Sequence, residues 1–93
     1  MDKVYYTPWQ HNFSKKYLII ISTDGKPIAE IHQSSSKFYK CDILDDAAYY
    51  RMRGLGLDFQ SYHLSLDGCK EMIEKSLTAI GYHMIDTKLV SLV

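Results

Sequence analysis

The sequence has little of several features that mark specialised classes of protein. Its 93 residues include two cysteines, two prolines and five glycines, and 11 Lys and Arg residues balance 11 Asp and Glu residues. Two cysteines are too few for a disulfide-stabilised scaffold. The longest apolar run spans residues 17–21, far short of the roughly 20 residues of a membrane-spanning helix. The zero net charge disfavours nucleic acid as a partner, because phosphate binding depends on concentrated Lys and Arg.

What remains is the composition of a soluble globular protein, with 46% hydrophobic and 24% charged residues. A chain of this length forms one domain at most, so we expect residues 1–93 to fold as a single α+β domain. The first residues lack the apolar segment of a signal peptide. We therefore expect a cytoplasmic protein with reduced thiols and no association with a membrane.

Hydrophobic patterning predicts the element order β-β-β-β-α-α-β. Asp24-Gly25 predicts the turn of a hairpin between the second and third strands. The simplest packing is an antiparallel sheet of about four to five strands with both helices on one face. The strands are expected over 3–9, 17–23, 26–33, 37–43 and 82–92, and the helices over 47–53 and from Ser65 or Asp67 to about Ile80.

Residue types also indicate where some strands lie in the sheet. Pro8 cannot donate a hydrogen bond to a neighbouring strand, so the first strand is expected at an edge or at the surface. The last strand is apolar on both faces, which indicates a central position or a dimer contact, and we favour the central position. In the fourth strand Tyr39, Cys41 and Ile43 should face the core. The opposite sheet face should carry polar side chains, among them Glu30, His32, Lys40 and Asp42.

Capping residues indicate where the two helices begin and end. Asp45 is the expected N-cap of the first helix, Gly54 is its expected C′ residue, and Gly81 should end the second helix. The second helix should bury a stripe of side chains at helical spacing: Leu66, Cys69, Met72, Ile73, Leu77 and Ile80.

Residues with catalytic or metal-binding chemistry are scattered along the sequence. The four histidines have no metal-ligand spacing and neither cysteine belongs to a CxxC pair, so no metal and no cofactor is expected. Asp42, Asp45 and Asp46 form a carboxylate cluster, but helix capping accounts for the last two. Cys69 is the best candidate nucleophile because it follows a predicted helix N-terminus. Its place on the apolar stripe favours a buried, unreactive thiol instead.

Arg51 and Arg53 precede a turn that contains Gly54 and Gly56. Guanidinium groups and free main-chain N–H groups suit a phosphate or carboxylate, with Lys70 as a third charge. No complete GxGxxG or phosphate-loop pattern is present, and a helix end followed by a turn explains the same residues. The turn is therefore the first place to look for an anion, but its pattern is weak.

Aromatic residues crowd the beginning of the chain. The sequence has eight tyrosines, and Tyr5, Tyr6 and the only tryptophan, Trp9, lie in the predicted first strand. Aromatic side chains on an edge strand are frequent anchors of protein interfaces. The same side chains are also suited to completing a small core, and the sequence favours neither interpretation.

These features favour a non-enzymatic protein-interaction module. Small size, abundant tyrosine and the lack of a catalytic motif are typical of accessory proteins of phages and mobile elements, many of which block a larger host protein. We expect another protein as the partner, with a homodimer as a further option. One alternative is a module that binds a nucleotide, another small ligand or an anion through the arginine turn and the N-terminal aromatics, and a second is a thiol enzyme that uses Cys69. The expected partner-binding residues are Tyr5, Tyr6, Trp9, Arg51 and Arg53.

Overall fold

The computed structural model describes residues 2–10, 16–33 and 37–85, and for residues 2, 8–10, 16 and 17 it describes the backbone. Five strands and two helices follow one another in the predicted order, which confirms the α+β class. The elements are β1 (Asp2–Gln10), β2 (Lys16–Ser22), β3 (Pro27–Gln33), β4 (Tyr39–Ile43), α1 (Asp46–Gly54), α2 (Leu66–Ala79) and β5 (Tyr82–Met84). The strand expected over 82–92 is described as far as Met84, and residues 86–93 lie outside the described part of the chain.

The five strands form one sheet in the order β4-β3-β2-β1-β5. β1 to β4 pair antiparallel with their sequence neighbours, but β5 pairs parallel with β1 at the edge of the sheet. The expectation of a wholly antiparallel sheet is therefore wrong. Tyr82–Met84 lie at an edge of the described sheet, but the apolar residues Leu89, Val90, Leu92 and Val93, on which the expected central position rested, lie outside the described part of the chain. The helices α1 and α2 lead from β4 at one edge to β5 at the other, and only such a long connection permits a parallel pair.

β1 lies between two strands over only part of its length. Asp2 to Val4 pair with β5 and Val4 to Gln10 pair with β2, so Val4 has a strand partner on both sides, whereas among the described residues Pro8 pairs with Leu18 of β2 alone. No described residue pairs with Pro8 on its other side, and a proline is tolerated where no second strand requires its missing N–H. The expected edge position is wrong for Val4, and for the part of β1 that contains Pro8 it stays a prediction, because residues 11–15 and 86–93 lie outside the described part of the chain.

The core lies between one face of the sheet and the two helices. β4 contributes Cys41, which is 1% exposed, and the neighbouring Tyr39 and Ile43 pack against the same cluster, as their alternation predicted. The predicted stripe of α2 is confirmed as well, because its members are buried or packed against the core. The buried cluster consists of Val4, Ile20, Ile28, Ala29, Ile31, Cys41, Ala48, Met52, Phe59, Cys69, Ile73, Leu77, Ile80 and Tyr82.

The capping residues lie close to where the sequence predicted them. The Asp45 side chain accepts a hydrogen bond from the N–H of Ala48 at 3.1 Å, and Ser65 rather than Asp67 is the N-cap of α2. The prediction that Gly54 follows α1 is wrong, because the helix includes it and Gly56 has the left-handed φ of +67°. Within the described ranges, no helix has the length and apolar character needed to cross a membrane.

Candidate interaction surface

The sheet face opposite the helices is polar along β3 and β4. His32 Nε2 lies 2.7 Å from a carboxylate oxygen of Asp42, and Lys40 Nζ lies 3.9 Å from the other. Glu30 is paired with Asp42 in the strand register, so these side chains share one face. The expected polar side chains of β3 and β4 do share this face, which we call the outer face, but Ile19 of β2, which pairs with Glu30, lies on it as well and is buried. Phe38 lies two residues before Lys40, so strand alternation places it on the outer face as well.

The loop 55–65 between α1 and α2 attaches to the free edge of β4. Tyr39 N–H donates to the carbonyl of His63 at 2.7 Å, and His63 N–H donates to the carbonyl of Tyr39 at 2.9 Å. The His63 ring turns toward the helices, with Nε2 3.2 Å from Met72 Sδ. Its neighbour Tyr62 projects to the other side, onto the outer face, where its ring meets Phe38 and Lys40. Leu64 follows His63 at a bend in the chain and is exposed to solvent.

The loop is also fixed at its centre. The Asp58 carboxylate accepts hydrogen bonds from the Ser61 hydroxyl at 2.6 and 2.8 Å and from the N–H groups of Gln60 and Ser61 at 3.3 Å. These bonds, above all the one from the Ser61 hydroxyl, hold the pKa of Asp58 below its usual value. The Ser76 hydroxyl of α2 donates to the Asp58 carbonyl at 2.9 Å. The side chains of the loop are thus presented from a backbone held at several points.

Three large apolar side chains of this region remain exposed to solvent. Phe38 is 37% exposed, Tyr62 59% and Leu64 83%. The rings of Phe38 and Tyr62 meet edge to face with centroids 6.3 Å apart, and Lys40 Nζ lies 5.5 Å from the centre of the Tyr62 ring. We call Phe38, Lys40, Tyr62 and Leu64 the corner surface. Aromatic and leucine side chains beside a cation, held on a rigid edge, can bind an apolar partner segment.

The sequence interpretation missed the corner surface, although two signals for it were present. The alternation of β4 places Phe38 on the polar face, where a large apolar side chain has no core to join. Tyr62 and Leu64 lie outside the apolar stripes of both helices, in the more polar second half of a loop whose first half contains Leu55, Leu57 and Phe59. What the sequence could not show is that this loop meets β4 at His63, because no periodic pattern encodes that contact.

Of the N-terminal aromatic residues that were predicted to contact a partner, Tyr5 and Tyr6 lie on opposite faces of the sheet. Tyr5 pairs with Ile21 and lies half-buried on the outer face. Tyr6 faces the helices: its hydroxyl donates to Glu74 Oε2 at 3.1 Å, and Lys70 Nζ lies 4.6 Å from its ring centre. Burial, followed by the Glu74 carboxylate, raises the pKa of the Tyr6 hydroxyl well above its usual value. Trp9 belongs to β1, but its side chain lies outside the described part of the structure, so its anchor role stays a prediction.

The arginine turn is exposed, and Lys70, the third charge expected beside it, lies elsewhere on α2. Arg53 lies over the Tyr49 ring at 5.8 Å, while Arg51 reaches toward Gly81, where an added Cβ would lie 3.8 Å from Nη2. Lys70 lies over Tyr6 near the other end of α2, about 16 Å along the helix axis from Gly81. Gly54 is helical and Gly56 is exposed. That Arg51 and Arg53 contact a partner stays a prediction, and Lys70 is not beside them.

Two of the three aspartates in the predicted carboxylate cluster have other partners. Asp42 pairs with His32, whereas Asp45 caps α1 and pairs with Lys26, so the aspartates do not converge on a cation. Over residues 2–10, 16–33 and 37–85, no three side chains of His, Cys, Asp or Glu are placed to hold a metal ion.

Both thiols are buried, Cys41 at 1% exposure and Cys69 at 0%. Burial raises the pKa of Cys69 to about 11 and raises that of Cys41 further. This change is opposite to the one that activates a thiol nucleophile, so the N-terminal turn of α2 does not make Cys69 reactive.

We therefore expect both cysteines to label slowly with a thiol reagent in the folded protein. At pH 8 a thiol with a pKa of about 11 has roughly 200-fold less thiolate than a free cysteine, before any steric protection. Mass spectrometry after labelling with and without denaturant gives the ratio of the labelling rates of the folded and the unfolded protein. Native labelling of Cys69 at the denatured rate would contradict the buried thiol and support the thiol enzyme.

Comparison of the chain with protein-family models, with curated proteins and with solved structures found no match.

Proposed function

We infer that this chain is a non-enzymatic protein-interaction module and that the corner surface is its principal contact. The observation that carries the inference is the exposure of Tyr62 and Leu64 on a loop that hydrogen bonds have already fixed. An anchor that is ordered before binding loses little conformational entropy when it binds. Exposed aromatic side chains in such positions supply much of the binding energy in protein interfaces.

In its concrete form the proposal is an accessory protein of phage or mobile-element type that binds and blocks a larger host protein. The size of the chain supports it, because a domain of 10.8 kDa can cover a functional site of a larger protein while offering little volume for a deep pocket. The alternative anion-binding function has less support, since Lys70 lies away from Arg51 and Arg53.

The proposal predicts that Tyr62→Ala weakens partner binding by about 2 kcal/mol or more, which is the range of interface anchors. The free energy of unfolding should change by only about 0.5 kcal/mol, because the side chain is largely exposed. The matched control is Tyr50→Ala, which removes a ring that is 69% exposed on α1, away from the corner surface. Its effect on binding should be small.

Because the partner is unknown, the first experiment is photo-crosslinking in the cells that produce the chain. A photoreactive phenylalanine analogue replaces Tyr62 in one sample and Tyr50 in another. The proposal requires a discrete adduct from position 62 that is weaker from position 50 and is lost when Leu64→Ser is added. Equal adducts from both positions, or none from position 62, would reject the corner surface. Loss of the captured protein's activity with one equivalent of chain would then support the inhibitor form.

A further inference from the structure

The main-chain groups beside the corner surface form an unfilled strand edge. His63 uses both its N–H and its carbonyl to pair with Tyr39. Where a chain is extended, the main-chain groups of successive residues point to opposite sides, so those of Tyr62, directly before the His63 bridge, point away from β4. Leu64 follows at the bend that leads into α2. No hydrogen bond between described residues uses the N–H or carbonyl of Tyr62 or Leu64. Both residues are exposed, so another strand can reach these groups.

The charges around this edge favour a partner with carboxylates. Lys37 is exposed beside Phe38, and Lys40 lies against the Tyr62 ring. The Asp42 carboxylate on the outer face pairs with His32 at 2.7 Å, and its other oxygen lies 3.9 Å from Lys40 Nζ, so it offsets part of the Lys40 charge. Lys37 forms no ion pair with another described residue. The corner surface therefore presents positive charge beside apolar side chains, and carboxylates on a partner segment would complement it.

We propose that an extended peptide segment of another protein, with apolar residues alternating with carboxylates, binds as an added strand along residues 62–64. Main-chain hydrogen bonds to Tyr62 and Leu64 supply the attachment, and alternate side chains meet the corner surface. The proposal rests on the proposed function and specifies how the partner is held. A second copy of this chain would instead place Lys37 and Lys40 of both copies in one contact region.

The test uses a synthetic probe and the intact chain. The probe is an acetylated nine-residue peptide in which Val and a central Phe alternate with Glu, and its counterpart carries Lys in place of every Glu. Titration into the isotope-labelled chain should shift the amide resonances of Tyr62 and Leu64 in particular. The Glu peptide should bind about tenfold more tightly than the Lys peptide at low salt, and the difference should shrink as salt is added.

Main-chain methylation of the probe tests strand addition itself and leaves the protein unchanged. Only every second N–H of an added strand faces its neighbour. N-methylation at one set of alternate residues should therefore weaken binding about tenfold or more, while methylation at the other set should leave it unchanged. Leu64→Pro, which removes an N–H, should weaken binding more than Leu64→Val, which keeps it.

Several results would overturn the proposal. One is the absence of resonance shifts at residues 62 and 64 with millimolar Glu peptide. The others are equal binding of the Glu and Lys peptides and equal effects of the two methylation patterns. Protection of both amides in the chain alone, together with a dimer in sedimentation, would assign the edge to a second copy. If the crosslink from position 62 forms while the probes fail, strand addition is wrong and the interaction function stands. If the probes bind and no cellular adduct forms, the interaction function is the part that fails.

Discussion

Replacing Ile73 with alanine is expected to lower the free energy of unfolding by about 3 kcal/mol or more. Ile73 is completely buried at the middle of α2, where it belongs to the core between helix and sheet. Truncation removes apolar contacts and leaves a cavity that the packed core cannot fully close. Since a domain of this size has a total stability of roughly 5–10 kcal/mol, the loss is a large fraction of the whole.

Two further substitutions on α2 show whether the loss comes from burial. Ile73→Val deletes a single methyl group and should cost about 1 kcal/mol. Thr78→Ala alters an exposed position and should stay within about 0.5 kcal/mol. Urea unfolding followed by circular dichroism gives the three values. A loss below 1 kcal/mol for Ile73→Ala would mean that α2 does not pack on the sheet.

The sequence predicted best those features that depend on nearby residues. The buried stripe of α2 follows from helical spacing, and the core-facing side of β4 follows from strand alternation. The Asp24-Gly25 hairpin follows from a turn in which Gly25 has a φ of +92°. Asp45 was predicted as an N-cap for the same reason, since a cap bonds to an N–H three residues along the chain.

Features that depend on distant contacts could not be predicted. Parallel pairing of β5 with β1 depends on the path of α1 and α2 across the sheet. Tyr5 and Tyr6 look equivalent in sequence, but the pairing of β1 with β2 sends one to the outer face and the other toward Glu74. The corner surface exists only because the loop 55–65 meets Tyr39 through His63. The local patterns of the two segments show that their apolar side chains have no place in the core, but they do not show that the segments meet.

Asp45 is the residue whose replacement should reveal how the hairpin, the helices and β5 are joined. Its side chain is 8% exposed and lies 2.8 Å from Lys26 Nζ, next to the hairpin turn. It also accepts hydrogen bonds from the N–H of Ala48 at the start of α1 and from the hydroxyl of Tyr82 in β5. These donors hold the pKa of Asp45 below its usual value, and the Lys26 ammonium contributes most.

We expect Asp45→Ala to lower the free energy of unfolding by about 2 kcal/mol, because it removes the N-cap and leaves buried donors without an acceptor. Asp45→Asn keeps a good N-cap and loses only the charge, so it should cost less. Asp46→Asn makes the same change of charge at an exposed neighbouring position, and a loss of about 0.5 kcal/mol is expected there.

The pH dependence separates the charge of Asp45 from its role as a cap. A carboxyl group whose pKa is lowered by folding stabilises the folded state fully above its unfolded pKa of about 3.9. That stabilisation is lost as the pH falls through the lower folded value. The stability difference between the wild type and Asp45→Asn should therefore be constant from neutral pH to about pH 5 and should narrow toward pH 2. Urea unfolding of both proteins across this range measures it. A difference that stays constant down to pH 2 would show that the Lys26–Asp45 ion pair contributes nothing to stability.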